Sequence, residues 1–156
     1  MKKLMVMLAI FGMVFLISGC GNKEKNVEGS LEDIMKKVYK NVSEDDLPMM
    51  LENTKVTKKN VEYYLGKKDL KYKEALASES GIGSFAYSVV LVRTEENANV
   101  EEIKKQIKYN VKPNKWICVE VPKDKVIVEN KGDLIILVMV EEEKTRNAIM
   151  EGFNSL

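Results

Sequence analysis

The sequence predicts a single α+β domain, in which an antiparallel or mixed sheet of about four strands carries helices on one face, behind an N-terminal signal peptide. Two observations lead to this prediction. Apolar residues recur at helical spacing in several segments, and runs rich in β-branched and aromatic residues follow one another in the second half, with short turns between them. Helices and hairpin-linked strands that occupy different parts of a chain are typical of the α+β class.

Residues 1–19 have the features of a secretory signal peptide. A basic start at Lys2 and Lys3 precedes residues 4–17, which contain no charged side chain. This apolar run is shorter than the roughly 20 residues that a helix needs to cross a bilayer. Small residues follow it directly, and this pattern favours cleavage. The alternative is an uncleaved N-terminal anchor helix with a chance cysteine.

The end of this run resembles the lipobox of bacterial lipoproteins. Ile-Ser-Gly-Cys ends at position 20, and the resemblance implies that the chain is cut between Gly19 and Cys20 and that the Cys20 thiol receives a diacylglyceryl group. Two acyl chains hold a protein stably on a membrane. Removal of residues 1–19 from the 156-residue chain leaves 137 residues. We expect them on the extracytoplasmic face of a bacterial cell membrane, with residues 20–29 as lipidated cysteine and flexible tether.

Residues 30–156 form the predicted domain, which begins with two helices. Ser30 and Asp33 have the spacing of an N-terminal capping motif, and an apolar stripe at helical spacing follows them. A second helix is predicted over 57–65, with Gly66 as its end.

The middle of the chain contains a strand and a third helix. Residues 70–79 fit either a strand or a helical turn, whereas residues 85–92 are rich in aromatic and β-branched side chains and predict a strand. Asn99 and Glu102 then have the spacing of a capping box, and the helix they begin ends before Pro113.

Three strands and a last helix are predicted in the remaining part of the chain, at 115–121, 125–130, 134–140 and 145–154. The uninterrupted apolar run at 134–140 indicates a central strand that is covered on both sides. Trp116 and Cys118 are two positions apart in their strand, so we expect both on the face that packs into the core.

The composition excludes several kinds of chemistry. The sequence has no histidine, the commonest general base and transition-metal ligand, and it contains no metal-binding or cofactor motif. Two of its 25 basic residues lie in the signal peptide, which leaves 23 against 24 acidic residues. This balance, with Arg93 and Arg146 as the only arginines, disfavours nucleic-acid binding. Once Cys20 is lipidated, Cys118 is the one free thiol, so no intramolecular disulfide can form.

Two glycine-containing motifs are interpreted as turns. "NKGD" at 130–133 matches a pattern that recognises guanine in GTP-binding proteins, but the phosphate loop that must accompany it is absent from the sequence. Asn, Gly and Asp between two apolar strands are typical of a hairpin turn. "SGIGSF" at 80–85 precedes a strand, whereas a phosphate-binding loop precedes a helix. A turn or bulge is favoured, with a small ligand on its backbone amides as the alternative.

The segment "SEDDLPMM" at 43–50 combines acidic residues with two methionines. Its three acids lack the ligand spacing of a calcium loop, so we interpret them as a solvated turn. Met49 and Met50 predict either a loop that plugs the edge of the core, which we favour, or an exposed contact for a protein partner.

Several segments, taken in order, resemble a family of bacterial exported lipoproteins that contain the domain of unknown function numbered 4358. They are the lipobox, "LPMM" after the first helix, "SFAYSVVLVR" with the helix after it, "KWICV" and the "KGD" turn. The resemblance covers residues 30–152. It implies a lipoprotein, and it supplies no activity, cofactor or catalytic residue.

These observations predict a lipid-anchored, non-enzymatic module that binds a protein or a small ligand outside the cell membrane. Two alternatives remain open. One is an enzyme, or the accessory subunit of a membrane-associated enzyme, that uses carboxylates such as Glu79 or Asp133; a deep pocket holding two carboxylates with separated pKa values would favour it. The other is a structural lipoprotein of the envelope.

Overall fold

In the computed structural model, which describes residues 25–156, five β-strands and four α-helices form the regular structure. In chain order they are α1 (Leu31–Val38), β1 (Leu51–Lys55), α2 (Val61–Leu65), β2 (Glu74–Ser80), β3 (Tyr87–Arg93), α3 (Val100–Asn110), β4 (Ile127–Lys131), β5 (Leu134–Val140) and α4 (Glu143–Asn154). The predicted signal peptide, Gly19 and Cys20 lie outside the described residues.

The strands form one open sheet in the order β1-β2-β3-β5-β4, and every neighbouring pair is antiparallel. This confirms the predicted α+β class and the single domain. β3 and β5 lie at the centre of the sheet, and all seven residues of each strand are buried. The central position predicted for residues 134–140 is therefore confirmed.

Helices cover both faces of the sheet. α1 and α4 pack on the face to which Val89 and Leu91 belong, whereas α2 and α3 pack on the face of Val90 and Val92. The prediction that the helices lie on one face is wrong. Consecutive apolar residues in a strand point to opposite faces, and each apolar face must be covered.

Side chains and a glycine fix the ends of the helices as the sequence predicts. The Ser30 hydroxyl accepts a hydrogen bond from the Asp33 amide at 3.2 Å, and the Asn99 side chain accepts one from the Glu102 amide at 3.1 Å. Gly66 ends α2 with a φ of 77°, a left-handed conformation that favours glycine. The second helix begins at Val61, four residues later than predicted.

Two strand assignments differ from the prediction. Residues 115–121 form no strand; Trp116 is buried there, but Cys118 is exposed with a φ of 61°, which an extended strand does not allow. The shared core face predicted for Trp116 and Cys118 is therefore wrong. β1 was not predicted, because "LENTK" is mostly polar; it forms an edge strand through its backbone pairing with β2.

Both glycine-containing motifs are turns. Gly132 and Asp133 connect Lys131 to Leu134 in a two-residue hairpin, and the φ of Gly132 is 56°. Residues 81–86 connect β2 to β3, and β2 itself shows that the ambiguous segment 70–79 ends in a strand. Within residues 25–156, no helix is long and apolar enough to cross a membrane.

Candidate functional site

The two ends of the sheet differ in what they contact. At one end, Arg93 at the close of β3 holds the first described part of the chain. Its guanidinium donates hydrogen bonds to the carbonyl oxygens of Val27, at 2.6 Å, and Gly29, at 2.9 Å. The same guanidinium forms ion pairs with Glu74 and Asp133. We call this end, formed by Glu74, Arg93 and the Gly132–Asp133 turn, the entry end.

The opposite end of the sheet, which we call the far end, comprises the starts of β1 and β3, the ends of β2 and β5, and the 81–86 loop. Tyr87 and Arg93 mark the two ends on the same strand. They are six residues apart, so at ~3.4 Å per residue the two ends are separated by roughly 20 Å.

Large apolar side chains are exposed at the far end. Their exposed fractions are 66% for Met49, 64% for Met50, 69% for Ile117, 49% for Tyr63 and 37% for Phe85. Such a group of exposed apolar side chains is typical of an interaction surface. The favoured interpretation of Met49 and Met50 as a plug of the core edge is therefore wrong, and their alternative role as a partner contact stays a prediction.

Hydrogen bonds to backbone carbonyl oxygens join the segments that carry these side chains into one surface. The Gly81 amide donates to the Met50 carbonyl, and the Ser80 hydroxyl donates to the Met49 carbonyl, each at 2.8 Å. On the other side of the loop, the Ile117 amide donates to the Gly83 carbonyl at 2.8 Å. The 81–86 loop thus links the two methionines to Ile117, and Phe85 lies in the loop itself.

A buried lysine holds the segment that carries Ile117 against the sheet. The Lys115 side chain is 4% exposed, and its ammonium pairs with the Glu79 carboxylate of β2. The ammonium also lies 4.2 Å from the ring centre of Tyr63, 5.1 Å from that of Tyr64 and 5.2 Å from that of Trp116. Aromatic rings around an ammonium stabilise the charge through their negative faces. We call this group the lysine cage.

Burial changes the acid–base properties of the lysine cage. It lowers the pKa of Lys115, and the adjacent Glu79 carboxylate opposes that shift. Burial first, and then the charge of Glu79, raise the pKa of Tyr63 to about 12. A lysine of lowered pKa can serve as a nucleophile, but the small exposed fraction of Lys115 leaves a substrate no access. The arrangement holds the 111–122 segment in place.

A serine hydroxyl lies beside this cage without a partner. Ser88 is opposite Glu79 in the β2–β3 register, so the two side chains share a face. Its hydroxyl is fully buried and makes no hydrogen bond within residues 25–156.

The two carboxylates considered for catalysis lie at opposite ends of the sheet. Glu79 pairs with Lys115 at the far end, and Asp133 pairs with Arg93 at the entry end. They therefore do not form a common acid–base pair. The described part of the chain also contains no group of three or more Cys, Asp or Glu side chains placed to hold a metal ion.

Two further depressions lie away from the far end. An open groove of about 830 Å³ runs between α3 and β4. Its lining is mostly apolar surface, and it includes Tyr109, Val126 and Val128 as well as the charged residues Lys104, Lys105 and Glu129. A polar depression of about 680 Å³ lies at the entry end, beside Asn26 and Asp133. Neither brings together a set of catalytic groups.

Sequence reasoning identified part of the far-end surface. It named Met49 and Met50 because a proline and three acids precede them, and a methionine pair in such a segment is unusual. It missed Ile117, which lies in the segment predicted as a strand at 115–121, and Lys115, whose burial no local pattern indicates. The two adjacent tyrosines, Tyr63 and Tyr64, are the one feature of the sequence that could have suggested the lysine cage.

Comparison with known proteins gives no relative. No protein-family model, no curated protein and no solved structure matches this chain. The resemblance to the exported lipoproteins that contain the domain of unknown function numbered 4358 therefore stays a prediction.

Proposed function

We propose that this chain is a lipid-anchored, non-enzymatic binding module that holds a protein partner on the far end of its sheet. The observation that carries the proposal is the position of the five exposed apolar side chains, opposite the end at which the chain enters the domain. A surface of this kind is free to meet a partner when the anchor is attached to the other end.

The short distance from the anchor supports this orientation. Cys20 is five residues from Lys25, and a fully extended chain spans at most ~3.6 Å per residue, or roughly 18 Å over that distance. Lys25 lies against the β4–β5 turn at the entry end. A lipid on Cys20 would therefore keep the entry end within roughly 18 Å of the membrane, whereas the far end lies roughly 20 Å along the sheet from the entry end.

Photo-crosslinking in the native membrane tests the partner surface. A photoreactive side chain at Ile117 or Phe85 should give adducts with a protein. Tyr109 is the matched control, because it is 90% exposed on α3 but lines the α3–β4 groove, not the 81–86 loop. Equal adducts from position 109, or adducts with lipid alone from positions 85 and 117, would contradict the proposal.

Mass spectrometry of the membrane fraction tests the anchor. The mature chain should lack residues 1–19 and carry the mass of a diacylglyceryl group on Cys20. Cys20→Ala should remain unprocessed at that bond and lose the acyl mass. A variant still cleaved before position 20 and equally bound to the membrane would show that the anchor is not a lipid on this cysteine.

A further inference from the structure

We propose that the partner surface recognised by the far end is a basic protein segment with interspersed apolar side chains. This inference rests on the proposed function and specifies the chemistry of the partner. It follows from the exposed acidic side chains that lie beside the exposed apolar side chains of the far end.

Exposed acidic side chains lie beside the apolar surface. Glu44 and Asp45 come shortly before Met49 and Met50 in the chain, Glu52 lies in β1, and Glu141 and Glu143 follow the end of β5. The ion pair between Asp46 and Lys144, at 2.8 Å, brings residues 44–46 next to the start of α4. The acids before β1 and after β5 therefore form one group at the far end.

Two basic groups at this end are engaged in ion pairs. Lys144 pairs with Asp46 at 2.8 Å, and Lys115 pairs with Glu79 inside the lysine cage. The five flanking acids form no ion pair within residues 25–156. The negative charge of these acids attracts cationic partners to the far end and repels acidic ones, since complementary charges guide association and select among partners.

The same charges argue against a lipid surface as the occupant. Exposed apolar side chains can also insert into a bilayer, but peripheral membrane sites combine them with Lys and Arg, because the headgroups they meet are anionic. Here the flanking residues are Glu and Asp. A basic, partly apolar protein segment satisfies both the apolar and the acidic features.

The 81–86 loop suits an extended segment. Gly81 and Gly83 are exposed and have no side chain, so a bound backbone can approach the 81–86 loop closely. The side chains of Met50 and Ile117 lie against these glycines, within 3.8 Å and 3.3 Å of an added Cβ. Apolar side chains of the partner can pack on them while its basic side chains reach the acids.

The test uses the full mature lipoprotein in nanodiscs of zwitterionic lipid, which do not themselves attract cations. The probes are a short peptide of alternating lysine and leucine and its counterpart of glutamate and leucine. Trp116 is the only tryptophan of the chain and adjoins Ile117, so its fluorescence reports binding. The lysine peptide should change the fluorescence saturably, more weakly at high salt, and the glutamate peptide should not.

Charge reversal then locates the site. The triple variant Glu44→Lys, Asp45→Lys, Glu141→Lys should bind the lysine peptide at least about tenfold more weakly, since each exposed charge pair contributes a few-fold. The matched control, Glu28→Lys, Glu95→Lys, Glu96→Lys, removes three exposed acids at or near the entry end and should bind within about twofold of the unmodified protein. Thermal unfolding verifies that both variants fold.

The outcomes separate the two proposals. Equal loss of peptide binding in both triple variants, or equal binding of both peptides, would overturn the basic partner. Protein adducts at positions 85 and 117 that survive high salt and the far-end charge reversal would keep the proposed function and overturn this inference. Adducts with lipid alone would overturn both.

Discussion

At the scale of single residues, the lysine cage is the feature with the largest electrostatic consequence. Removing an ammonium from water costs several kcal/mol, and a buried pair is stable only when its partners are well placed. Lys115 has a carboxylate and three aromatic rings within reach. The loss of one partner therefore leaves an uncompensated charge and affects stability more than the loss of both.

We predict that Glu79→Gln lowers the free energy of unfolding by about 3 kcal/mol, because the Lys115 ammonium loses its counter-charge in a buried site. Chemical denaturation at pH 7 measures the change. Asp33→Asn is the matched control: its pair with Lys36 is exposed, so the loss of stability should be much smaller than in Glu79→Gln. A double variant with Lys115→Met should be more stable than Glu79→Gln alone; a further loss would show that the pair does not act as a unit.

A second prediction concerns Tyr39, whose pKa burial raises from 10.0 to about 12, partly offset by the hydroxyls of Ser78 and Tyr87. The folded state holds the phenolic proton more tightly than the unfolded state. The resulting stability is present below pH 10 and is lost as the pH rises through 12, by about 2 kcal/mol between these values. Tyr39→Phe should remove this part of the loss of stability at alkaline pH.

Denaturation curves from pH 9 to pH 12 measure this difference. Tyr109→Phe is the control, because the Tyr109 side chain is almost fully exposed in the folded state. Parallel curves for Tyr39→Phe and the unmodified protein would contradict the assignment.

At the scale of elements, the close contact between α1 and α4 depends on one glycine. A Cβ at Gly152 of α4 would overlap the carbonyl group of Val38, the last residue of α1. The two helices can approach only because position 152 has no side chain. Their contact covers the sheet face that contains Val89 and Leu91.

We therefore predict that Gly152→Ala destabilises the domain by about 2 kcal/mol, the usual range for overpacking, despite the better helix propensity of alanine. Asn147→Ala is the control, because it changes an exposed position of the same helix and should alter stability by no more than about 0.5 kcal/mol. Thermal unfolding of both variants provides the measurement. A neutral Gly152→Ala would mean that α1 and α4 separate easily.

The elements also show which structural features local sequence can predict. The caps at Ser30 and Asn99 were correct, because a capping side chain bonds a backbone amide only three residues away. The 134–140 strand was correct because its continuous apolar run fits only a covered position. β1 could not be predicted, since its stability comes from pairing with β2, which begins nineteen residues after β1 ends.

At the scale of the whole molecule, Arg93 connects the chain's entry to the sheet. Its side chain is 9% exposed and bonds Val27, Gly29, Glu74 and Asp133. It thereby holds residues 27–29 against the entry end of the sheet. The proposed anchor at Cys20 would turn the proposed partner surface away from the membrane through this connection.

We predict that Arg93→Gln releases residues 25–29 and speeds hydrogen exchange of their amides by at least about tenfold, while amides of β3 and β5 stay protected. Exchange followed by mass spectrometry measures this. Arg146→Gln is the control, because Arg146 bonds the carbonyls of Val140 and Glu141 at the far end and should leave residues 25–29 unchanged. Unchanged exchange in Arg93→Gln would show that other contacts hold the segment.

The candidate site was only partly predictable, because some of its residues are far apart in the sequence. Met49 and Met50 are neighbours in sequence, and their composition alone suggested a contact. Ile117 and Lys115 belong to the site because the 111–122 segment folds back over the sheet, where Glu79 lies thirty-six residues earlier in the chain. The spacing of residues in the sequence carries no information about a tertiary contact of this kind.

The sequence alone determined the α+β class, the helix caps, the hairpin turns and the central strand, because each depends on side-chain periodicity or on groups a few residues apart. The tertiary structure decided that helices cover both faces of the sheet and that residues 115–121 form no strand but a segment held on the sheet by the Lys115–Glu79 ion pair. It also decided that five apolar side chains lie at the end of the sheet opposite the entry end. These features depend on contacts between distant residues, whose energies exist only once the sheet has assembled.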